Sequence, residues 1–91
     1  MSIFSAFPSP AKTSDTGAYR LSVVTANVTD GDEVTMDGPV ATDDDGNVVA
    51  WANIPGGGGS VGVSSGTDAA DLTVNQGTGG ATDVTVFALV E

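Results

Sequence analysis

"NIPGGGGSVGVS", Asn53 to Ser64, decides whether the chain is one domain or two. Four glycines and a serine have the composition of a flexible linker. A linker, however, needs a self-sufficient core on each side. The stretch from Val61 to Glu91 offers two or three strand-like runs and only Leu72, Phe87 and Leu89 as large apolar residues. That is too little to fold alone, because an isolated pair of strands is marginal in water. The glycines therefore belong to a loop inside one fold. Their backbone is costly to order, so the loop should be exposed or held by a partner.

Outward from this loop the sequence has a period of two, rich in Val and Thr and interrupted by Asp-Gly and Gly runs. Six strands are predicted: Ala18 to Thr29, Glu33 to Thr42 with a break near Gly38-Pro39, Asn47 to Ile54, Ser60 to Ser65, Ala70 to Gln76, and Thr82 to Val90. No stretch carries a helical stripe of useful length. "TDGDE" (Thr29 to Glu33) and "DDDGNV" (Asp43 to Val48) each place an Asp-Gly pair between strand-like runs, as tight hairpin turns require. Six short strands at roughly ten-residue intervals predict an all-β fold, a small antiparallel β-sandwich or barrel. Trp51 is expected to anchor its core, with Tyr19 and Phe87 as partners.

Residues 18–91 make up this single β domain, and residues 1–17 read as an extended N-terminal arm. The arm contains Pro8 and Pro10 and no periodicity, yet it carries Phe4 and Phe7. Each ring gains roughly 1.5–3 kcal/mol on burial. Phe4 and Phe7 are therefore candidate docking residues, either on the arm's own domain or on a neighbour.

At 91 residues the chain can build only a thin core, because most of its apolar residues are small. Small domains compensate with disulfides, metals or oligomerisation. The absence of cysteine and histidine removes disulfides, the usual zinc ligands and a histidine base. Self-association or docking on a larger assembly is the expected remedy.

Ten aspartates and two glutamates face one lysine, Lys12, and one arginine, Arg20, for a formal net charge of −10. Such a surface repels nucleic acid and anionic membranes. The excess of aspartate over lysine resembles halophilic proteins, whose carboxylate shells are screened in concentrated salt. The opening "MSIFSAFPSPAK" has no basic segment followed by a long apolar run, so no secretion signal is expected. No stretch reaches the roughly 20 apolar residues of a membrane span.

The acidic turns are weak metal candidates. Counted from Asp43, Gly46 falls fourth and the twelfth residue is Ile54. Setting Gly46 sixth puts Ala41 first and Ala52 twelfth, so the EF-hand pattern fails in both registers. A looser site could join Asp43 and Asp45 to Asp30 and Asp32 if the two turns share one end of the fold. Asn27-Val28-Thr29 is a glycosylation sequon, relevant only to an exported protein. No nucleophile–base pair can be assembled, and the glycine run lacks the Gly-Lys-Ser/Thr ending of a phosphate loop. Neither an enzyme nor a bound cofactor is expected.

At "DGNVVAWANIPGGGGSVGVSSG", Asp45 to Gly66, the chain resembles the capsid decoration proteins of tailed viruses, the lambda-type cement proteins. The matching residues are Val48 to Trp51, against a "LVAW" stretch, and Ser60 to Val63, against an "AVGI"-like strand. A Pro-containing N-terminal arm is common to both. This chain is shorter, far more acidic and without a helical stripe. The resemblance implies a homotrimer or other cyclic oligomer that clamps major capsid protein subunits and is located in the virion. With the halophile-like composition, it suggests a virus of salt-loving archaea. The alternatives are an Ig-like module of a cell-surface or adhesion protein, and a viral tail or fibre subunit.

Overall fold

The computed structural model describes residues 19–91. The expected arm, with Phe4 and Phe7, lies outside the described residues. Six strands form: β1 Arg20–Val28, β2 Glu33–Thr35, β3 Ala50–Asn53, β4 Val61–Ser65, β5 Asp71–Gln76 and β6 Thr82–Val90. All pairings are antiparallel, and the described residues contain no helix. The strands divide into two three-stranded sheets, ordered β1-β6-β3 and β2-β5-β4. This is the small all-β architecture that the period-two pattern predicts.

The two sheets meet on one apolar core. Alternate residues of β6, namely Val84, Val86, Ala88 and Val90, are fully buried. Leu72 and Val74 of β5 oppose them from the second sheet, joined by Val28, Val34, Met36 and Ile54. Period-two side-chain geometry produces this arrangement, since residues i and i+2 share a face. Most of the core is valine, which packs well on a pleated surface but gives a thin interior.

The glycine-rich stretch is an internal loop, as expected. It carries the chain from β3 in one sheet to β4 in the other, with core residues on both sides of it. Ile54 anchors its start at 6% exposure. The Gly57 amide donates to the Ile54 carbonyl at 2.8 Å, closing a turn. Gly57 and Gly58 take φ values of 73° and 96°, in the left-handed region that residues with a Cβ avoid. Downstream, the Gly77 amide donates to the Ser60 carbonyl at 3.0 Å and holds the loop to its neighbour.

Several expectations need correction. The second strand ends at Thr35, because the chain leaves its sheet and crosses at Asp37–Pro39, after which Val40 bridges Val90 of the first sheet. The third strand begins at Ala50. The residues before it form the return arm of a hairpin, in which Thr42 bridges Val48 across the Asp43–Asn47 tip. There the hairpin reading of "DDDGNV" holds, and Gly46 supplies φ 83°. "TDGDE" is not a hairpin: β1 and β2 lie in different sheets, so the turn is an arch between layers. An Asp-Gly pair specifies local backbone geometry but does not specify which sheet receives the next strand.

Trp51 is not in the core. It is 36% exposed on the outer face of its sheet. The partnership with Phe87 is real, with ring centroids 6.3 Å apart and planes inclined by 18°. Tyr19 packs elsewhere, against a small separate cluster of Ala41, Val49 and Leu89. The interior positions of β3 are taken by Ala50 and Ala52. Trp51 and Phe87 sit at paired register positions, so both point outward together.

Because the core is thin, one large side chain should carry much of its stability. Leu72, at 0% exposure in the central strand of its sheet, is the sharpest case. Leu72→Ala should cost about 2–5 kcal/mol, read as a lower urea midpoint at unchanged slope.

Candidate functional site

The outer face of the β1-β6-β3 sheet concentrates the exposed large apolar side chains. Strand parity sets its composition. Leu21, Val23, Thr25 and Asn27 of β1 stand outward, beside Asp83, Thr85 and Phe87 of β6 and Trp51 and Asn53 of β3, while Leu89 of β6 has the same parity but is buried under Tyr19, Ala41 and Val49. The register arranges them in rows: Leu21 beside Leu89, then Val23, Phe87 and Trp51, then Thr25, Thr85 and Asn53, then Asn27 beside Asp83.

The face is therefore half apolar and half polar. In the polar half the Thr25 and Thr85 hydroxyls share a hydrogen bond of 3.1 Å, and the Asn27 amide donates to Asp83 at 3.0 Å. In the apolar half Leu21 is 41% and Val23 51% exposed, with Phe87 lying between Val23 and the 36% exposed Trp51. Among these outward positions Asp83 is the one carboxylate. A chain of net charge −10 thus leaves one sheet face almost free of charge. Contiguous exposed apolar surface on a small domain marks an interaction site more often than chance would give.

The acidic candidates are placed differently. Val28 of β1 pairs with Thr82 of β6, and Arg20 with Val90, which defines two ends of the ladder. The arch holding Asp30 and Asp32 follows Val28, at the Thr82 end. The tip holding Asp43 and Asp45 lies beyond Val40 and Val49, at the Val90 end. The two turns do not share an end, so the looser joint cation site is not assembled. Among the described residues no group of three or more acids could hold a metal ion.

Each turn instead uses its carboxylates on its own backbone. The Asp43 carboxylate accepts the Asp45 and Asn47 amides, both at 2.9 Å. Asp30 accepts the Gln76 amide at 2.9 Å, tying the arch to β5. Asp32 accepts both the amide and the hydroxyl of Thr29 at 2.9 Å. Those bonds, the backbone one foremost, hold the Asp32 carboxyl below its ordinary value, because they favour the charged form.

Gln76 is a structural residue that composition does not reveal. It continues the inward series of Leu72 and Val74 and is 6% exposed. Its amide nitrogen donates to the Val28 carbonyl at 3.1 Å and the Gly80 carbonyl at 2.6 Å. Its oxygen accepts the Thr78 amide at 2.7 Å and the Thr78 hydroxyl at 2.5 Å. One side chain thus fixes the Gly77–Gly80 turn to the end of β1. A groove of about 420 Å³ opens beside it, lined by Thr29, Asp30, Gln76 and glycines. The polar groups of Gln76 are saturated within the fold, so the groove presents mainly backbone. The signal available in sequence was parity alone: a glutamine two residues beyond two core positions.

Arg20, the one described basic residue, pairs with the Asp37 carboxylate and donates to the Asp37 carbonyl at 2.5 Å. The pair is exposed, and such pairs contribute little to stability. It fastens the crossing segment to the start of β1.

No protein-family model matches the chain, and neither a curated protein nor a solved structure is significantly similar to it.

Two outcomes are expected. Gln76→Leu should lower stability by about 1–3 kcal/mol, because buried carbonyls and an amide lose their partner. Asp32→Asn tests the acid limb. A carboxyl whose folded pKa is depressed contributes stability above its unfolded value of 3.8, and that contribution is lost as pH falls through the folded pKa. The variant should therefore melt lower than the parent at neutral pH, and the two melting curves should converge in strong acid.

Proposed function

We propose that the protein is a non-enzymatic virion structural protein, a decoration or cement protein that stabilises a capsid by docking on its subunits and on copies of itself. The observation that carries this reading is the segregation of its surface. Large exposed apolar side chains collect on the outer face of one sheet, where Asp83 is the one carboxylate, while Asp32 and Asp43 are committed to the backbone of their own turns. That division suits a protein that works by contact.

The mechanism is passive. The β body supplies a rigid, uncharged face built on Leu21, Val23, Trp51 and Phe87. The arm supplies Phe4 and Phe7 as anchors for the shell. Apolar contact is the form of association that a strongly acidic protein can use without opposing its own charge. The carboxylate coat keeps the decorated particle hydrated in brine, as in a virus of salt-loving archaea. Partners are a major capsid protein and further copies of the chain in a cyclic oligomer, with neither nucleic acid nor membrane involved.

A density gradient of lysate from the source, read by mass spectrometry, tests this. The protein should travel with large particles at high copy number. Deletion of residues 1–17 should leave a body with the parent's circular dichroism that no longer sediments with those particles. A protein that stays at the top of the gradient, or follows the cell envelope, overturns the virion reading.

A further inference from the structure

Among the described residues β1 pairs with β6 alone, which leaves its other edge without a strand. We infer that two copies of the chain join through this edge, β1 against β1, antiparallel about a two-fold axis at Val24, so that their sheets run on as one. This deepens the reading above by naming the surface through which copies meet, and it rests on that reading only for the use of the dimer on a shell.

Backbone geometry shows which groups the edge offers. The Leu89 amide donates to the Val49 carbonyl, and the Leu89 carbonyl accepts the Ala41 amide, so both point away from β1. Leu89 stands opposite Leu21. In an antiparallel ladder such a pair turns its backbone groups away from each other, and the pattern alternates along the strand. Leu21, Val23, Thr25 and Asn27 therefore direct their N–H and C=O groups to the edge. Thr29 is next in this series, and the Asp32 carboxylate accepts its amide at 2.9 Å, which closes the edge at that end. At the other end Tyr19 packs against Ala41, Val49 and Leu89. The open stretch is Leu21 to Asn27, and its midpoint is Val24.

Natural sheets guard an edge with a short strand, a proline, a bulge or a lysine. The other edge strands β2, β3 and β4 are guarded by length, with three, four and five residues. β1 has nine, in unbroken register with β6, and contains neither proline nor lysine. It also carries no carboxylate, in a chain of net charge −10. A long, regular edge of this kind is a template for strand addition.

The occupant that fits is the same strand of a second copy. An axis at Val24 sets Leu21 opposite the partner's Asn27 and Val23 opposite the partner's Thr25, so every open N–H and C=O of both edges finds a mate. Any other symmetric register leaves some of them unmatched. Side chains agree with this choice. Val24 and Ala26 point toward the core yet are only partly buried, because they stand at the sheet's margin. The axis puts Val24 against the partner's Val24, which extends the cover of both cores. On the outer face Val23 meets a β-branched neighbour, a favourable cross-strand pair. Charge agrees as well. Arg20, the one described base, falls opposite the partner's Val28, at the end where the acidic arch begins. Each copy thus brings its base to the other's acidic end.

The test uses the full chain, which has no cysteine of its own. Sedimentation equilibrium should show a concentration-dependent dimer, tighter in molar salt because screening weakens the repulsion between two acidic chains. Val23→Lys, at an exposed position, should sediment as a monomer with the parent's circular dichroism. Val24→Cys should form a disulfide-linked dimer on mild oxidation. Its two copies face each other as a pair not bonded through backbone, about 4.5 Å apart between Cα atoms, which a disulfide spans. Asn27→Cys should stay unlinked, since its copies lie about 20 Å apart along the strands. A parent that remains monomeric in molar salt overturns the inference, and so does a dimer in which Val24→Cys resists oxidation or Val23→Lys associates as the parent does. Particle binding is read separately. A dimer linked at Val24 that stays at the top of the density gradient removes the virion reading and supports this inference, and a monomer that travels with the particles does the reverse.

Discussion

The pairing of β1 with β6 is the constraint on which the rest of the structure depends. It joins nearly the first described residue to nearly the last, in a ladder running from Arg20 opposite Val90 to Val28 opposite Thr82. Because the side-chain period is two, fixing this register fixes both faces at once. It sends Val84, Val86, Ala88 and Val90 inward as one wall of the core, and Leu21, Val23 and Phe87 to the other side, where Leu89 is buried in its own small cluster with Ala41 and Val49. A slip of one residue would exchange the two sets. The core and the exposed face are therefore two results of one pairing. β3 then adds to the free edge of β6 and brings Trp51 beside Phe87.

The second sheet is attached by loops whose polar chemistry is local and complete. The arches β1 to β2, β3 to β4 and β5 to β6 all lie at the Thr82 end. Asp30 and Gln76 bind that end together, and no buried side-chain polar atom is left without a partner among the described residues. This arrangement assigns work to carboxylates that look like ligands in sequence. Asp43 organises its own hairpin tip, and Asp32 closes its own arch. Their clustering along the chain reflects the needs of tight turns among strands, with no helix to connect among the described residues.

How much of this was legible in the sequence follows from what each signal encodes. Period two located the strands well, and β6 has the predicted limits Thr82 to Val90. The glycine stretch was readable as an internal loop, since neither side holds a core of its own. Face assignment was not readable for β3 and β6, because both of their sides carry apolar residues. Size favoured Trp51 for the interior, but register gave those places to Ala50 and Ala52. Sheet membership was equally hidden at "TDGDE", because Asp-Gly chemistry sets the bend and leaves the destination to tertiary packing. The apolar half of the outer face became visible only when β1, β6 and β3 were laid side by side, since its residues are spread from Leu21 to Phe87.

The antiparallel closure of β1 on β6 also sets how the fold bears load. Tyr19 and Glu91 leave from the same end of the same ladder. Tension applied between them meets the hydrogen bonds one pair at a time, from Arg20–Val90 onward, so the ladder opens like a zipper at low force. Tension between either end and the glycine-rich arches at the opposite end runs along the strands and loads many bonds together. The domain is compliant in one direction and stiff in the other.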